Sequence, residues 1–268
     1  MRKTVAADPL DIVISVRGMT CAYGERVIVR DISFDVRRGE IFVILGGSGC
    51  GKSTVLKHLI GLYRPAAGTV SYHFPESARP LRMDLKDESD REAILRRIGV
   101  MYQGGALFGS MTLLENVRLP LEEFTDLPPS ARDFVARMKL SLVGLEEFRD
   151  HLPSELSGGM QKRAAIARAM ALDPEVLFLD EPSAGLDPIT SAGLDELIQG
   201  LSRALGMTFV VVSHELPSIF AIADTAIMLD KAAQGIVAQG KPADLRDSSD
   251  NPLVRRFFHR ETAGAEAP

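Results

Sequence analysis

Residues 46 to 53 read GGSGCGKS, a glycine-rich turn that ends in a lysine and a hydroxyl. Without Cβ atoms in the way, backbone N–H groups in such a turn converge on an anion. Gly46, Gly47, Ser48, Gly49, Cys50 and Gly51 would form the cradle. Lys52 would reach the β- and γ-phosphates of a nucleotide, and the Ser53 hydroxyl, with Thr54 beside it, would coordinate Mg²⁺. Glycine-rich turns before helices are common, so the flanks decide. The short apolar run IFVIL precedes the turn and STVLKHLIGL, with helical spacing, follows it; strand then helix is the context a phosphate loop requires.

Three further apolar runs end in side chains that could do chemistry. VLFLDE places Asp180 and Glu181 at the carboxyl end of a buried strand, the edge where open parallel sheets bind ligands. Adjacent acids there can be merely solvated; beside a phosphate loop, Asp180 would hold Mg²⁺ through water and Glu181 would polarise an attacking water. TFVVVSH brings His214 to the same edge, where it could contact the γ-phosphate and orient Glu181. IGVMYQ does so for Gln103, which could contact Mg²⁺ or the water. Alone, neither the histidine nor the glutamine carries much signal. A second anion site is also written into the chain: LSGGMQKRAAIARA opens a helix with Ser157, Gly158 and Gly159. A helix start presents unpaired N–H groups and a positive dipole end.

The elements that must position these groups read as follows. Residues 11 to 45 alternate as β-structure, with Ile12, Ile14 and Val16, then Ile32, Phe34 and Val36, and a turn at Gly39-Glu40. GTVSY is a strand, and residues 75 to 97 are a charged loop followed by a short helix. From 104 to about 172 the signals are helical; Pro128-Pro129-Ser130 starts a helix whose apolar positions are Phe134, Val135, Met138 and Leu142 and which Gly144 ends. SAGLDELIQGLSRALG is a helix between the last two buried strands. Strand–helix–strand order predicts a parallel α/β sheet with helices on both faces. IVAQG closes the ordered core, NPLVRRFFHR is a terminal helix and ETAGAEAP a loose tail.

Bulk composition narrows the partners. Hydrophobic residues make up 46% and charged residues 25%, the composition of a globular chain able to bury a sizeable core. With 31 Lys+Arg against 36 Asp+Glu, the net charge of −5 lacks the basic footprint of a nucleic-acid binder. Two cysteines, Cys21 and Cys50, build no disulfide framework and fit a reducing compartment. The first residues, MRKTVAADPLDIV, lack a signal peptide's apolar stretch, and no apolar run approaches the roughly 20 residues that span a bilayer. The expectation is a cytosolic protein, or one held on a membrane by something else.

Taken in order, the phosphate loop, Gln103, LSGGMQKR, the paired acids, SAGLD with Asp187, and His214 resemble the ATPase subunit of an ABC transporter, over about residues 11 to 245. The resemblance implies a P-loop NTPase of α/β class: a RecA-like nucleotide-binding core, an antiparallel β-subdomain, and a helical subdomain at about 104–172 that holds the signature. Residues 1–10 would be an N-terminal extension and 246–268 a terminal helix and tail. It also implies ATP and Mg²⁺ as ligands, with Tyr23 stacking on adenine. Two copies would pair head-to-tail as a homodimer, so that Ser157, Gly158 and Gly159 of one bind the γ-phosphate held by the other, and Asp187 crosses the interface.

Met160 stands where many members have glutamine. Together with QGGALF (103 to 108), EPSAGLDPIT and VVVSHEL it resembles the ATPases of Mla/MCE-type phospholipid transport. That subfamily implies an integral membrane permease docking near Ala106, Leu107 and Phe108, an MCE-domain lipid-binding protein, and a small STAS-type subunit. NPLVRRFF resembles the same group's C-terminal segment. The implied location is the cytoplasmic face of the inner membrane, peripheral through the permease. An importer ATPase for small polar solutes shares every nucleotide motif and is the alternative. A soluble ABC protein acting on ribosomes or DNA is remoter, since the chain has one domain and no sustained heptads.

Overall fold

The structure is a computed structural model that describes residues 11–83 and 88–260. The expected N-terminal extension and the tail ETAGAEAP lie outside the described residues. Chain order runs β1 (Ile12–Tyr23), β2 (Arg26–Arg37), β3 (Ile41–Gly46), α1 (Lys52–Leu59), β4 (Ala67–Tyr72), β5 (Leu81–Arg82), α2 (Glu88–Leu95) and β6 (Ile98–Met101). There follow α3 (Leu113–Phe124), α4 (Pro129–Leu142), α5 (Gly158–Ala169), β7 (Val176–Asp180), α6 (Pro188–Leu205), β8 (Thr208–Val212) and α7 (Leu216–Ile222). The last elements are β9 (Thr225–Asp230), β10 (Gly235–Gly240), α8 (Pro242–Ser248) and α9 (Pro252–His259).

The alternation read in residues 11 to 45 becomes a long antiparallel pair, with Ile14 opposite Val36 and Val16 opposite Phe34. It belongs to a four-stranded antiparallel sheet ordered β2-β1-β4-β5. A second, six-stranded sheet is ordered β10-β9-β3-β8-β7-β6. Its strands β9, β3, β8, β7 and β6 pair in parallel. The sheet is not wholly parallel as the sequence predicts, because β10 runs antiparallel to β9. Only Lys231 to Gln234 separate the two strands, and a parallel return needs a crossover of a dozen residues or more.

β3 shows why its run is continuously apolar. Ile41, Val43 and Leu45 enter a core shared with α3 to α7, while Phe42 and Ile44 enter one shared with the antiparallel sheet and α1. Both faces of the strand are covered, so neither needs polar residues.

Two helical expectations change. In α4 the buried residues are Ala136, Lys139 and Leu140, whereas Phe134, Met138 and Leu142 are 63%, 45% and 41% exposed. Both sets recur at helical spacing, and Lys139 is admitted to the inner stripe because its ammonium pairs with Asp173. Nor does the core close at β10. Val254 and Phe258 of α9 are buried in the larger core, and Phe258 packs on Phe220 of α7 with ring centroids 5.6 Å apart. Burying side chains of this size contributes about 1.5–3 kcal/mol each.

Among the described residues no helix is long and apolar enough to cross a membrane.

Candidate nucleotide site

β3 ends in a turn that only glycine fits at two places. At Gly46 (φ 144°) a Cβ would lie 2.3 Å from the Leu229 carbonyl oxygen, and at Gly51 (φ 106°) it would lie 2.5 Å from a Val29 methyl. The loop therefore seats tightly between β9 and β2 before α1 begins at Lys52. With its stem buried, Lys52 donates from Nζ to the carbonyls of Gly46 (2.9 Å) and Gly47 (3.2 Å). The same ammonium stands 3.9 Å from Glu181 Oε1. Cys50 is buried, and burial pushes its thiol up, so it belongs to the packing beneath the loop. Gly47, Ser48 and Gly49 are exposed.

The strands end earlier than the sequence suggests: β8 stops at Val212 and β6 at Met101, leaving His214 and Gln103 in the loops that follow. Their side chains still arrive where expected. One cleft of about 580 Å³ is lined by Tyr23, Ser48, Gly49, Gly51, Lys52, Ser53, Thr54, Gln103, Glu181 and His214. Asp180 sits behind it, accepting a 3.2 Å hydrogen bond from Ser53 Oγ. Burial raises the Asp180 carboxyl above the usual range, partly offset by that hydroxyl. Nδ1 of His214 lies 2.9 Å from both carboxylate oxygens of Glu181. A carboxylate only accepts, so Nδ1 carries the proton of this pair. Glu181 itself adopts φ 48°, the left-handed region, with its N–H donating to the Val212 carbonyl at 2.9 Å. Tyr23 meets Tyr63 edge-on, with centroids 5.0 Å apart.

The Ser53–Asp180 pair is a set of hard oxygen donors, which suits Mg²⁺. Among the described residues no group of three or more His, Cys, Asp or Glu is placed to hold a metal. A divalent cation here would draw its remaining ligands from Gln103, which lines the same cleft, and from phosphate and water.

Ser157, Gly158, Gly159 and Asp187 do not line this cleft. They form a second locus, in which Ser157 caps α5 by accepting from Met160 N at 3.3 Å. Asp187 caps α6, accepting from Ile189 N (3.0 Å) and Thr190 N (3.1 Å). Gly159 is buried against Thr190, and Met160 packs half-buried on the larger core.

Four residues of interest escaped the sequence reading. Arg26 and Ile28 line the cleft from β2, facing Tyr23 across the hairpin. Lys162 of α5 donates to the Gln103 carbonyl, and burial lowers its ammonium against the opposing pull of Asp180. Arg168 donates to the carbonyls of Ala106 (2.6 Å) and Gly105 (3.1 Å). The spacing of Gln161, Ala165 and Arg168, at i, i+4 and i+7, marks the face of α5 that lies under this loop, and was the available signal.

A phosphate loop, a carboxylate pair at the next strand end but one, and a histidine bonded to the second carboxylate define a nucleotide triphosphatase site. The family profile described as "ABC transporter" matches residues 29–184. The intermembrane phospholipid transport system ATP-binding protein MlaF of Haemophilus influenzae is 38% identical over 251 residues, 94% of this chain and 92% of that protein. The probable ribonucleotide transport ATP-binding protein mkl of Mycobacterium leprae is 37% identical over 256 residues, 96% of this chain and 71% of that protein. Among solved structures, cbiO1 of Clostridium perfringens, part of the cbiONQ transporter complex, superposes with TM-score 0.78 at 26% identity, covering 88% of this chain and 90% of its own. MJ0796, a dimeric ATP-binding cassette bound to ADP and Pi, gives TM-score 0.73 at 30% identity, covering 85% and 98%. The chain belongs to the ABC transporter family, as an ATP-binding, ATP-hydrolysing member.

Proposed function

We propose that the protein is the ATPase subunit of a phospholipid transporter of the Mla/MCE type. The observation that carries this reading is the likeness to MlaF, 38–40% identical across nearly the whole of both chains. Two copies pair head-to-tail with ATP between them. The separation of the Ser157–Gly159 locus from the cleft supports this, because an anion site that its own nucleotide does not use is available to the partner's.

Within the cleft Tyr23 stacks on adenine, and Gly46 to Thr54 wrap the phosphates. Lys52 exchanges the Gly46 and Gly47 carbonyls for the β- and γ-phosphate oxygens. Ser53, Gln103 and Asp180 hold Mg²⁺, which neutralises charge on the phosphates. Glu181 polarises the attacking water, and His214 orients Glu181 through the Nδ1–carboxylate bond. Loss of the shared γ-phosphate removes the ligand that bridges the copies, and they separate. Phe108, 49% exposed beyond Gln103, is offered to a permease at the cytoplasmic face of the inner membrane. An MCE-domain protein and a small STAS-type subunit complete the system.

Affinity purification from detergent-solubilised membranes of the native host tests the assignment. Co-purification of a multi-span permease with an MCE-domain protein is expected. A permease accompanied by a soluble solute-binding protein would move the function to small-solute import, and the absence of any membrane protein would reject transport.

A further inference from the structure

The segment from Gln103 to Thr112 links the cleft to exposed Phe108, yet its backbone is far from relaxed. Gly105 and Ala106 stand in succession at φ 73° and 52°, and a non-glycine residue resists that region. Side chains from two helices hold it there. From α5, Lys162 bonds the Gln103 carbonyl, and Arg168 bonds those of Gly105 and Ala106. From α3, fully buried Asn116 accepts from Phe108 N at 2.8 Å and donates to the carbonyls of Phe108 (3.1 Å) and Met111 (3.0 Å). Contact is close as well: a Cβ on Gly105 would meet Ala165 of α5 at 3.4 Å.

We propose that Lys162 and Arg168 are positioning residues that lock the Gln103–Ala106 segment to α5, so that the loop and the Ser157 end of the helix move as one body. Neither residue lines the cleft; each acts through backbone carbonyls. The consequence is that a displacement applied at Phe108 reaches the cleft through Gln103 and the α5 start together. Cationic donors suit the task, because charge-assisted bonds are about twice as strong as neutral ones. Arg168 serves two carbonyls at once with its rigid fork, and Lys162 serves one. The inference rests on the roles proposed above for Gln103 and Ser157.

Hydrogen exchange and steady-state ATPase kinetics, on the full chain purified with its membrane partners, test it. The reporters are the Gly105 N–H, bonded to the Tyr102 carbonyl at 2.7 Å, and the Phe108 N–H. In Arg168→Met, exchange of the Gly105 amide should accelerate by about ten-fold or more while amides in β7 and β8 keep their parent rates. The kcat should fall about ten-fold with the KM for ATP within about two-fold, as a misplaced group costs rate rather than binding. Arg168→Lys should recover slow exchange and most of the rate. A Gly105 amide unchanged in Arg168→Met overturns the proposal, as does acceleration spread equally over loop and sheet, which marks general loosening. Should Arg168→Met fail to fold, Lys162→Met reads the same amide with both Arg168 bonds intact, and the same outcomes decide. Gln103→Ala separates the two claims: turnover at the parent rate would retire the role of Gln103, while the exchange data would still judge the lock.

Discussion

Gly159 is the tightest point between the two helix starts of the second locus, and adding one methyl there gives a measurable result. A Cβ at this position would lie 2.4 Å from Thr190 Cγ2, well inside contact distance. Thr190 cannot swing away freely, since its hydroxyl donates to the Asp187 carboxylate that caps α6. Forcing an extra carbon into a packed site costs about 1–3 kcal/mol, and breaking a hydrogen bond to a charged group about 1.5–3. The chain takes the cheaper route, less up to about 1 kcal/mol from the better helix propensity of alanine. Gly159→Ala should therefore destabilise by about 1–2 kcal/mol and lower Tm by about 3–6 °C. Removing Cγ2 with Thr190→Ala leaves the facing Cβ at 3.9 Å, ordinary contact. Thr190→Ala by itself gives up the hydroxyl bond to Asp187, so the comparison is made within that background, where the added methyl should cost little, a coupling of about 1 kcal/mol. ATP hydrolysis should fall in Gly159→Ala, because the α5 start shifts, while nucleotide binding to one copy stays at the parent value. Thermal unfolding of the four proteins in the cycle is the assay. A Gly159→Ala protein that melts with the parent, or a methyl at 159 that costs as much with Thr190→Ala as without it, would refute the packing argument.

Other expectations concern the cleft. Glu181→Gln should lower kcat by about 10²- to 10⁴-fold while ATP is retained and the closed dimer accumulates on size-exclusion chromatography; hydrolysis at the parent rate would dismiss Glu181 as the base. Ser157→Arg should block hydrolysis with nucleotide affinity of the isolated subunit within about two-fold, measured by fluorescence titration, and equal loss of binding would argue against a site in trans. Asp180 has a raised carboxyl pKa from burial, so its contribution to stability is fully present below the unfolded value of about 3.9 and is lost as pH rises through the folded value. Asp180→Asn should accordingly raise the Tm of the nucleotide-free protein at pH 7, with the gain vanishing as pH falls below about 4; a gain independent of pH would contradict the burial effect.

Much of the site was legible because its parts are written as strand ends. Runs such as VLFLD and TFVVV are apolar on both faces, and a chain leaving such a strand must deliver its next residues to the sheet edge. The two residues after Val212, Ser213 and His214, read as strand in the sequence but lie beyond β8, although Ser213 N still donates to the Ile44 carbonyl at 3.2 Å. What stayed hidden depended on choices between equals. In α4 two stripes share one period, and the one that faces inward, Ala136 and Leu140 with Lys139 tied to Asp173, carries the smaller apolar groups. Lys162 and Arg168 bond backbone carbonyls far along the chain, and a carbonyl leaves no trace in residue identity. The α6 cap at Asp187 went unread, although the proline after it fits a first helical turn.

The left-handed backbone at Glu181 sets stability against turnover at a single position. Glycine, and to a lesser degree asparagine, occupies φ 48° with less strain than glutamate, by about 1 kcal/mol. Either replacement would also relieve the like charge that Glu181 presents to Asp180, while giving up the His214 bond and the carboxylate beside Lys52. Directed evolution for heat resistance alone scores that strain and not turnover, so it would keep any replacement at 181 whose net effect is a later melt, an unreactive clamp that grips ATP without consuming it. A selection that scores transport at each round is the safeguard, and residue 181 is where sequencing would first reveal that it had lapsed.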